Sequence, residues 1–144
     1  MIIALACCML AACDGDKTES SSSASSSTVS YSKDPINDYI RLADITEIRV
    51  LSSAYADEDE PVKTVYPDKS EWHEIIDILG SYSLTVSDDQ SGSFGYAFFF
   101  TIKQNGSAEP TYISIGDNMV TVNEVNYTSN KSLKHDFDYL FEAG

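Results

Sequence analysis

His73-Glu74-Ile75-Ile76-Asp77 is the stretch of this chain that comes nearest to a metal-binding or catalytic pattern. A zinc helix of the H-E-x-x-H kind needs two imidazoles one turn apart, so that both reach one ion from the same face. Asp77 stands where the second histidine would be, while Trp72, Ile75 and Ile76 claim the apolar side. The spacing therefore predicts that His73 and Glu74 face solvent and hold no metal. His135 is the other imidazole; Asp136 and Asp138 are close to it in sequence, but no serine lies in a G-x-S-x-G elbow for it to activate. Ser91-Gly92-Ser93-Phe94-Gly95 is like that elbow only in composition, and its glycines and serines read as a loop. The run Asp57-Glu58-Asp59-Glu60 offers the oxygen ligands that Ca²⁺ prefers. It lacks the alternating spacing and central glycine of an EF-hand, so a solvated hairpin loop is the expectation. There is no Gly-rich phosphate-binding signature. These residues predict neither a catalytic residue nor a metal or other cofactor.

Charge and cysteine usage narrow the classes further. The 144 residues carry 9 Lys and Arg against 23 Asp and Glu, a net charge of −14. Nothing offsets phosphate repulsion, which excludes nucleic acid as an expected partner. The three cysteines, Cys7, Cys8 and Cys13, all precede the body of the chain, leaving it neither a disulfide framework nor a thiolate zinc site.

Residues 1–12, ending in Leu10-Ala11-Ala12, are uncharged and too short to span a bilayer, which takes about 20 apolar residues. Their length and composition suit the apolar region of an export signal. Cys13 follows, and then the polar Asp14-Gly15-Asp16-Lys17. Leu10-Ala11-Ala12-Cys13 resembles the lipobox of bacterial lipoproteins. The resemblance implies cleavage before Cys13, diacylglyceryl transfer to its thiol, and a domain anchored on the extracytoplasmic face of the cell membrane. Two acyl chains give stable anchoring where one gives only marginal binding. The basic residue that usually precedes such an apolar run is missing, which fits a start codon upstream of Met1.

Nine of the residues 20–32 are serine, and with Asp14 to Glu19 they form a stretch that cannot bury enough apolar surface to offset its ordering entropy. The expected organisation is a signal peptide at 1–12, a lipidated cysteine with a Ser-rich tether at 13–32, and one domain at 33–144. That domain keeps 8 basic and 20 acidic side chains, a net charge of −12.

Periodicity supplies the elements of the domain. Pro35 to Ile40 suits one helical turn with Ile36, Tyr39 and Ile40 on one side, and Ile45 to Ser52 alternates as a strand with Thr46, Ile48 and Val50 facing one way. Val62 to Tyr66 makes a second strand. Asp68 and Glu71 have capping-box spacing; Trp72, Ile75, Ile76 and Leu79 then fall on one face of a helix over 69–79, closed by Gly80 as its C′ residue. Strands follow at Tyr82–Val86, Tyr96–Gln104, Thr111–Ile115 and Met119–Asn123, with a shorter one near Tyr127. Leu133, Phe137, Leu140 and Phe141 mark a C-terminal helix. Short hairpins imply antiparallel pairing, and amphipathic helices must bury their stripes. The predicted fold is α+β: an antiparallel sheet of about five to six strands with two amphipathic helices packed on one face. The Ile-Thr-Glu-Ile first strand, capped helix, aromatic hairpin and final helix resemble small lipoprotein domains of unknown function in Gram-positive bacteria. That likeness implies fold and location and brings no activity.

If the helices cover Ile48, Val50, Phe98, Phe100, Ile113, Ile115, Val120 and Val122, the other sheet face carries Phe99, Thr101, Tyr112, Ser114 and Thr121. Phe99 and Tyr112, on neighbouring strands, are then candidate ligand-binding residues; the competing reading is a cross-strand pair that only stabilises the sheet. The expected function is a membrane-anchored, non-enzymatic domain that binds a protein, peptide or envelope ligand. The alternative is an envelope enzyme or enzyme inhibitor using the acidic loop or the 88–95 loop.

Overall fold

Seven strands form one antiparallel sheet in the order β2-β1-β4-β5-β6-β7-β3. The computed structural model describes residues 30–92 and 95–142, so Cys13, the signal and nearly all of the tether lie outside the described residues. From Tyr31 onward the chain belongs to one unit. Its strands are β1 (Ile45–Ser52), β2 (Lys63–Val65), β3 (Leu84–Val86), β4 (Phe98–Gln104), β5 (Thr111–Ile115), β6 (Met119–Val122) and β7 (Val125–Ser129). Three helices accompany them: α1 (Pro35–Tyr39), α2 (Lys69–Gly80) and α3 (Tyr139–Glu142). The fold is α+β as expected, but among the described residues the sheet has seven strands rather than five to six, and there are three α-helices rather than two, with a 3-10 turn at Leu42–Asp44.

Each difference has a local cause. The sixth and seventh strands pair through Asn123-Glu124, a two-residue turn whose φ angles of 45° and 74° are both positive. That is the twist of a type I′ hairpin, here without the Asn-Gly that advertises it in sequence. The C-terminal helix is only four residues long, because Leu133 to Asp138 is a succession of turns that buries Leu133 and Phe137 without a regular helix. Strand β4 starts at Phe98, leaving Tyr96 exposed in the preceding loop. In β1 a bulge between Ile45 and Glu47 breaks the alternation, so Ile45 joins Ile48 and Val50 in the core and Thr46 is exposed.

The caps explain where the helices begin. Asp34 accepts a hydrogen bond from the Asn37 N–H at 3.3 Å, and Pro35 occupies the first turn of α1, where its missing donor costs nothing. Of the three residues expected on the inner side of α1, Ile36 and Ile40 are buried and Tyr39 is exposed; Pro35 is buried as well. Asp68 and Glu71 form the capping box of α2, with the Asp68 N–H donating to Glu71 Oε2 at 2.7 Å. Gly80 ends α2 inside the helix, without a left-handed φ, and the Ser81 hydroxyl donates to the Ile78 carbonyl at 2.6 Å instead. The buried stripe of α2 is Trp72, Ile75 and Leu79; Ile76 lies at its margin.

One buried cluster contains that stripe together with Ile48, Val50, Phe98, Phe100, Ile113, Ile115, Val120 and Val122. Phe137 meets Phe98 and Phe100 edge-on at 5.7 and 4.8 Å between ring centroids, and Phe141 stacks between Phe98 and Tyr55 at 5.8 and 5.1 Å. The strand order has a further consequence. After β3 at one edge, the chain must return past β7, β6 and β5 to reach β4, so the connection 87–97 passes along the sheet instead of turning tightly.

Candidate functional site

Strand alternation that buries Phe98, Phe100, Ile113, Ile115, Val120 and Val122 turns their neighbours to the opposite face. Those neighbours are Phe99 on β4, Tyr112 and Ser114 on β5, Thr121 on β6 and Asn126 on β7. Cross-strand register sets Phe99 opposite Ser114, Thr101 opposite Tyr112, and Thr121 opposite both Ser114 and Asn126. Phe99 and Tyr112 are therefore diagonal neighbours. Their rings lie 6.2 Å apart, tilted by 37°, and Tyr96 extends the row at 5.5 Å from Phe99. The sequence-predicted pair is thus brought together, with Tyr112 exposed and Phe99 half-buried.

The pair lies in a cleft of about 500 Å³ whose remaining walls come from Gln90, Gly92, Asn123, Glu124, Asn126 and the face residues Ser114 and Thr121. One wall is the crossing loop, pinned by a buried amide. Asn126 Nδ2 donates to the Asp89 and Gly92 carbonyls at 3.2 and 3.3 Å, and Asn126 Oδ1 accepts from the Thr121 hydroxyl at 2.8 Å. Gln90 completes the attachment along the β7 backbone. Its Oε1 accepts from Asn126 N–H at 2.9 Å, and its Nε2 donates to the Asn126 and Ser87 carbonyls at 2.9 and 2.7 Å. Asn126 is 1% exposed, so every polar atom of its side chain is satisfied inside the protein. Hydrogen bonds from Ser91, first from its hydroxyl and then from its N–H, hold the Asp89 carboxyl below its ordinary pKa.

The opposite wall is the β6–β7 turn. Asn123 N–H donates to the Tyr112 carbonyl and Tyr112 N–H donates to Asn123 Oδ1, each at 2.9 Å, so the turn is clamped beside the exposed ring. Glu124, at φ 74°, occupies a conformation that suits glycine. Tyr112, Asn123 and Glu124 also border a second depression of about 500 Å³, walled by Tyr39, Glu109 and Pro110 among others.

The other sequence candidates lie apart from this cleft. His73 and Asp77 pair on the solvent side of α2 at 3.1 Å, with side chains 70% and 67% exposed. Asp77 thus takes the position of the missing second histidine as a surface partner of the imidazole. His135 Nδ1 meets Asp138 Oδ2 at 2.9 Å, and this imidazole is also exposed. In the acidic run, Asp57 Oδ1 accepts from the N–H groups of Asp59 and Glu60 at 3.0 and 2.8 Å, making the run the solvated β1–β2 turn. No three His, Cys, Asp or Glu side chains among the described residues are grouped to hold a metal ion. Of the 88–95 loop, Gln90 and Gly92 reach the cleft, while Ser93 and Phe94 lie outside the described residues.

Sequence reasoning missed Asn126, Gln90, Asn123 and Glu124. Nothing local marks Asn126 for burial, and nothing in the spacing of Gln90 marks its long-range partner. The Asn123-Glu124 break carries a signal, since asparagine tolerates a positive φ. No protein-family model matches the chain, and no curated protein or solved structure is significantly similar to it.

Proposed function

We propose that this chain is a bacterial lipoprotein, lipidated at Cys13 and held on the extracytoplasmic face of the cell membrane, whose domain binds a protein, peptide or envelope ligand without turning it over. The anchor reading is supported by Leu10-Ala11-Ala12-Cys13 and the polar, Ser-rich segment behind it. The observation that carries the binding reading is the cleft in which Phe99 and Tyr112 lie 6.2 Å apart beneath a loop pinned by buried Asn126. Exposed aromatic side chains on a rigid sheet give large contact area at low entropic cost. In the same reading α2 and the C-terminal segment cover the other face through Trp72, Ile75, Leu79, Phe137 and Phe141, which leaves the cleft face for ligands. The 88–95 loop serves this cleft as a wall, through Gln90 and Gly92.

Capture from native membranes by the full-length chain tests the reading. A species cross-linked to the chain is expected to be lost with Tyr112→Ala or Phe99→Ala. Undiminished capture by both variants would remove the face from consideration. Mass spectrometry of the membrane-bound form is expected to find acyl mass on an N-terminal Cys13; intact residues 1–12 without it would refute the anchor.

A further inference from the structure

We propose that the ligand of the cleft is a basic peptide, whose lysine or arginine stems lie on Phe99 and Tyr112 and whose charged heads meet Glu124 and Glu109. The proposal rests on the binding-face reading above and narrows it to one chemistry. Among the described residues, the two adjoining depressions contain these two carboxylates and no Lys, Arg or His. The domain around them carries a net charge of −12, a field that draws cations and repels acidic partners. Of the basic side chains on this face, Lys103 pairs with Glu47 at 2.9 Å, while Arg49 Nη2 donates at 3.3 Å to the hydroxyl of Thr101, the register partner of Tyr112, and keeps its charge at the margin of the cleft.

Hydrogen-bond accounting separates this ligand from a neutral glycan, which would also favour the aromatic rings. Sugar hydroxyls are read by unpaired amides, and Gln90 and Asn126 spend theirs on Ser87, Asp89, Gly92, Thr121 and the β7 backbone, which leaves Asn123 Nδ2 as the one amide donor in the lining with no partner among the described residues; the two carboxylates and the acidic field favour a cation over a neutral sugar. Neither Glu124 nor Glu109 makes an ion pair or side-chain hydrogen bond among the described residues. Their charges are left for a partner. Tyr112, 41% exposed and tilted against Phe99, presents a ring face over which an ammonium or guanidinium is attracted while its methylenes are covered.

Chemical-shift titration of the full-length chain with a lysine tetrapeptide, a glutamate tetrapeptide and an N-acetylglucosamine tetramer decides the matter. The lysine peptide is expected to shift the amides of Tyr112, Ser114, Thr121 and Glu124 saturably, and the glutamate peptide to leave them in place. Raising salt from about 0.02 to about 0.2 M should weaken binding several-fold by screening. Glu124→Gln should weaken it about fivefold, the scale of one exposed charge pair, and Tyr112→Ala about tenfold. The absence of a saturable shift, lysine-peptide shifts confined to the acidic turn at 57–60, or indifference to Glu124→Gln would overturn the proposal. If the sugar moves the cleft amides and the lysine peptide does not, the cationic ligand is wrong and the binding face stands. If no probe moves them and capture is undiminished in both aromatic variants, the face itself is wrong.

Discussion

Replacing Asn126 by alanine should unfasten the wall of the cleft from the sheet. The side chain makes three hydrogen bonds, one with Thr121 and two with the carbonyls of Asp89 and Gly92, and it is 1% exposed. At about 1 kcal/mol net for each bond, the loss is about 3 kcal/mol. That is a large share of the 5–15 kcal/mol, roughly, that holds a domain of this size together. With a urea m-value of about 2 kcal/mol/M, the unfolding midpoint should fall by about 1.5 M. Asn126→Asp sharpens the test. A carboxylate would face two carbonyl oxygens where the amide NH₂ now donates, so its folded pKa would lie above the unfolded value of about 3.9. Stability gained from protonating it is fully present below that unfolded pKa and lost as pH rises through the folded one. The variant should therefore be weakest at neutral pH and recover towards wild type as the solution is acidified to about pH 4. Exposed Asn130→Ala serves as the control and should cost less than about 0.5 kcal/mol. If Asn126→Ala cost no more than Asn130→Ala, or if Asn126→Asp showed no acid recovery, the pinning of the loop by Asn126 would be refuted.

Other expectations follow from single residues. Leu79→Ala, at a fully buried position, should cost about 2–5 kcal/mol in urea titration, whereas His73→Ala on the solvent side should cost less than about 0.5 kcal/mol. Glu124→Gly relieves a positive φ and should stabilise by about 1 kcal/mol, seen as a thermal midpoint about 4 °C higher. The Tyr82 hydroxyl is buried beside Asp136 but finds no hydrogen-bonding geometry among the described residues; burial first, and then that carboxylate, raise its pKa. Burial also pushes Tyr139 up to about 12, ahead of the nearby Glu74 and Glu71 charges. Both phenols favour the folded state while neutral. Stability should hold up to about pH 10, the unfolded value, and fall as pH rises towards the folded values. Tyr82→Phe should match wild type at pH 7 and lose less in alkali, as read by circular dichroism.

What could be read from the sequence was what alternation and helical spacing dictate locally. Ile48, Val50, Phe98, Phe100, Ile113, Ile115, Val120 and Val122 are all buried on one face, and α2 begins at its capping box. Phe99 and Tyr112 were legible as neighbours because they follow from those same alternations. The rest depended on partners distant in sequence. Hairpin logic pairs consecutive strands, but β3 pairs with β7 and β1 with β4. Asn126 owes its burial to a loop more than thirty residues earlier. The bulge at Ile45 was invisible because one inserted residue shifts alternation without changing composition.

The path of residues 63–98 has a kinetic consequence. Helix α2 leads from the β2 edge to the β3 edge, and the connection 87–97 leads back past β7, β6 and β5 to β4, so this segment crosses the whole sheet once and then recrosses most of it. Strands β4 to β7 form a meander of nearest-neighbour hairpins that needs only short loop closures, whereas the β1–β4 and β3–β7 pairings join residues dozens of positions apart. Distant closures come late because their entropy must be lost before their contacts form. The meander is then the natural nucleus, and the segment bearing Gln90 and Gly92, whose contacts reach 34 to 37 residues along the chain, closes on it afterwards. A chain caught before that step would hold Phe99 and Tyr112 side by side, on an open sheet with one wall of the cleft still to be built.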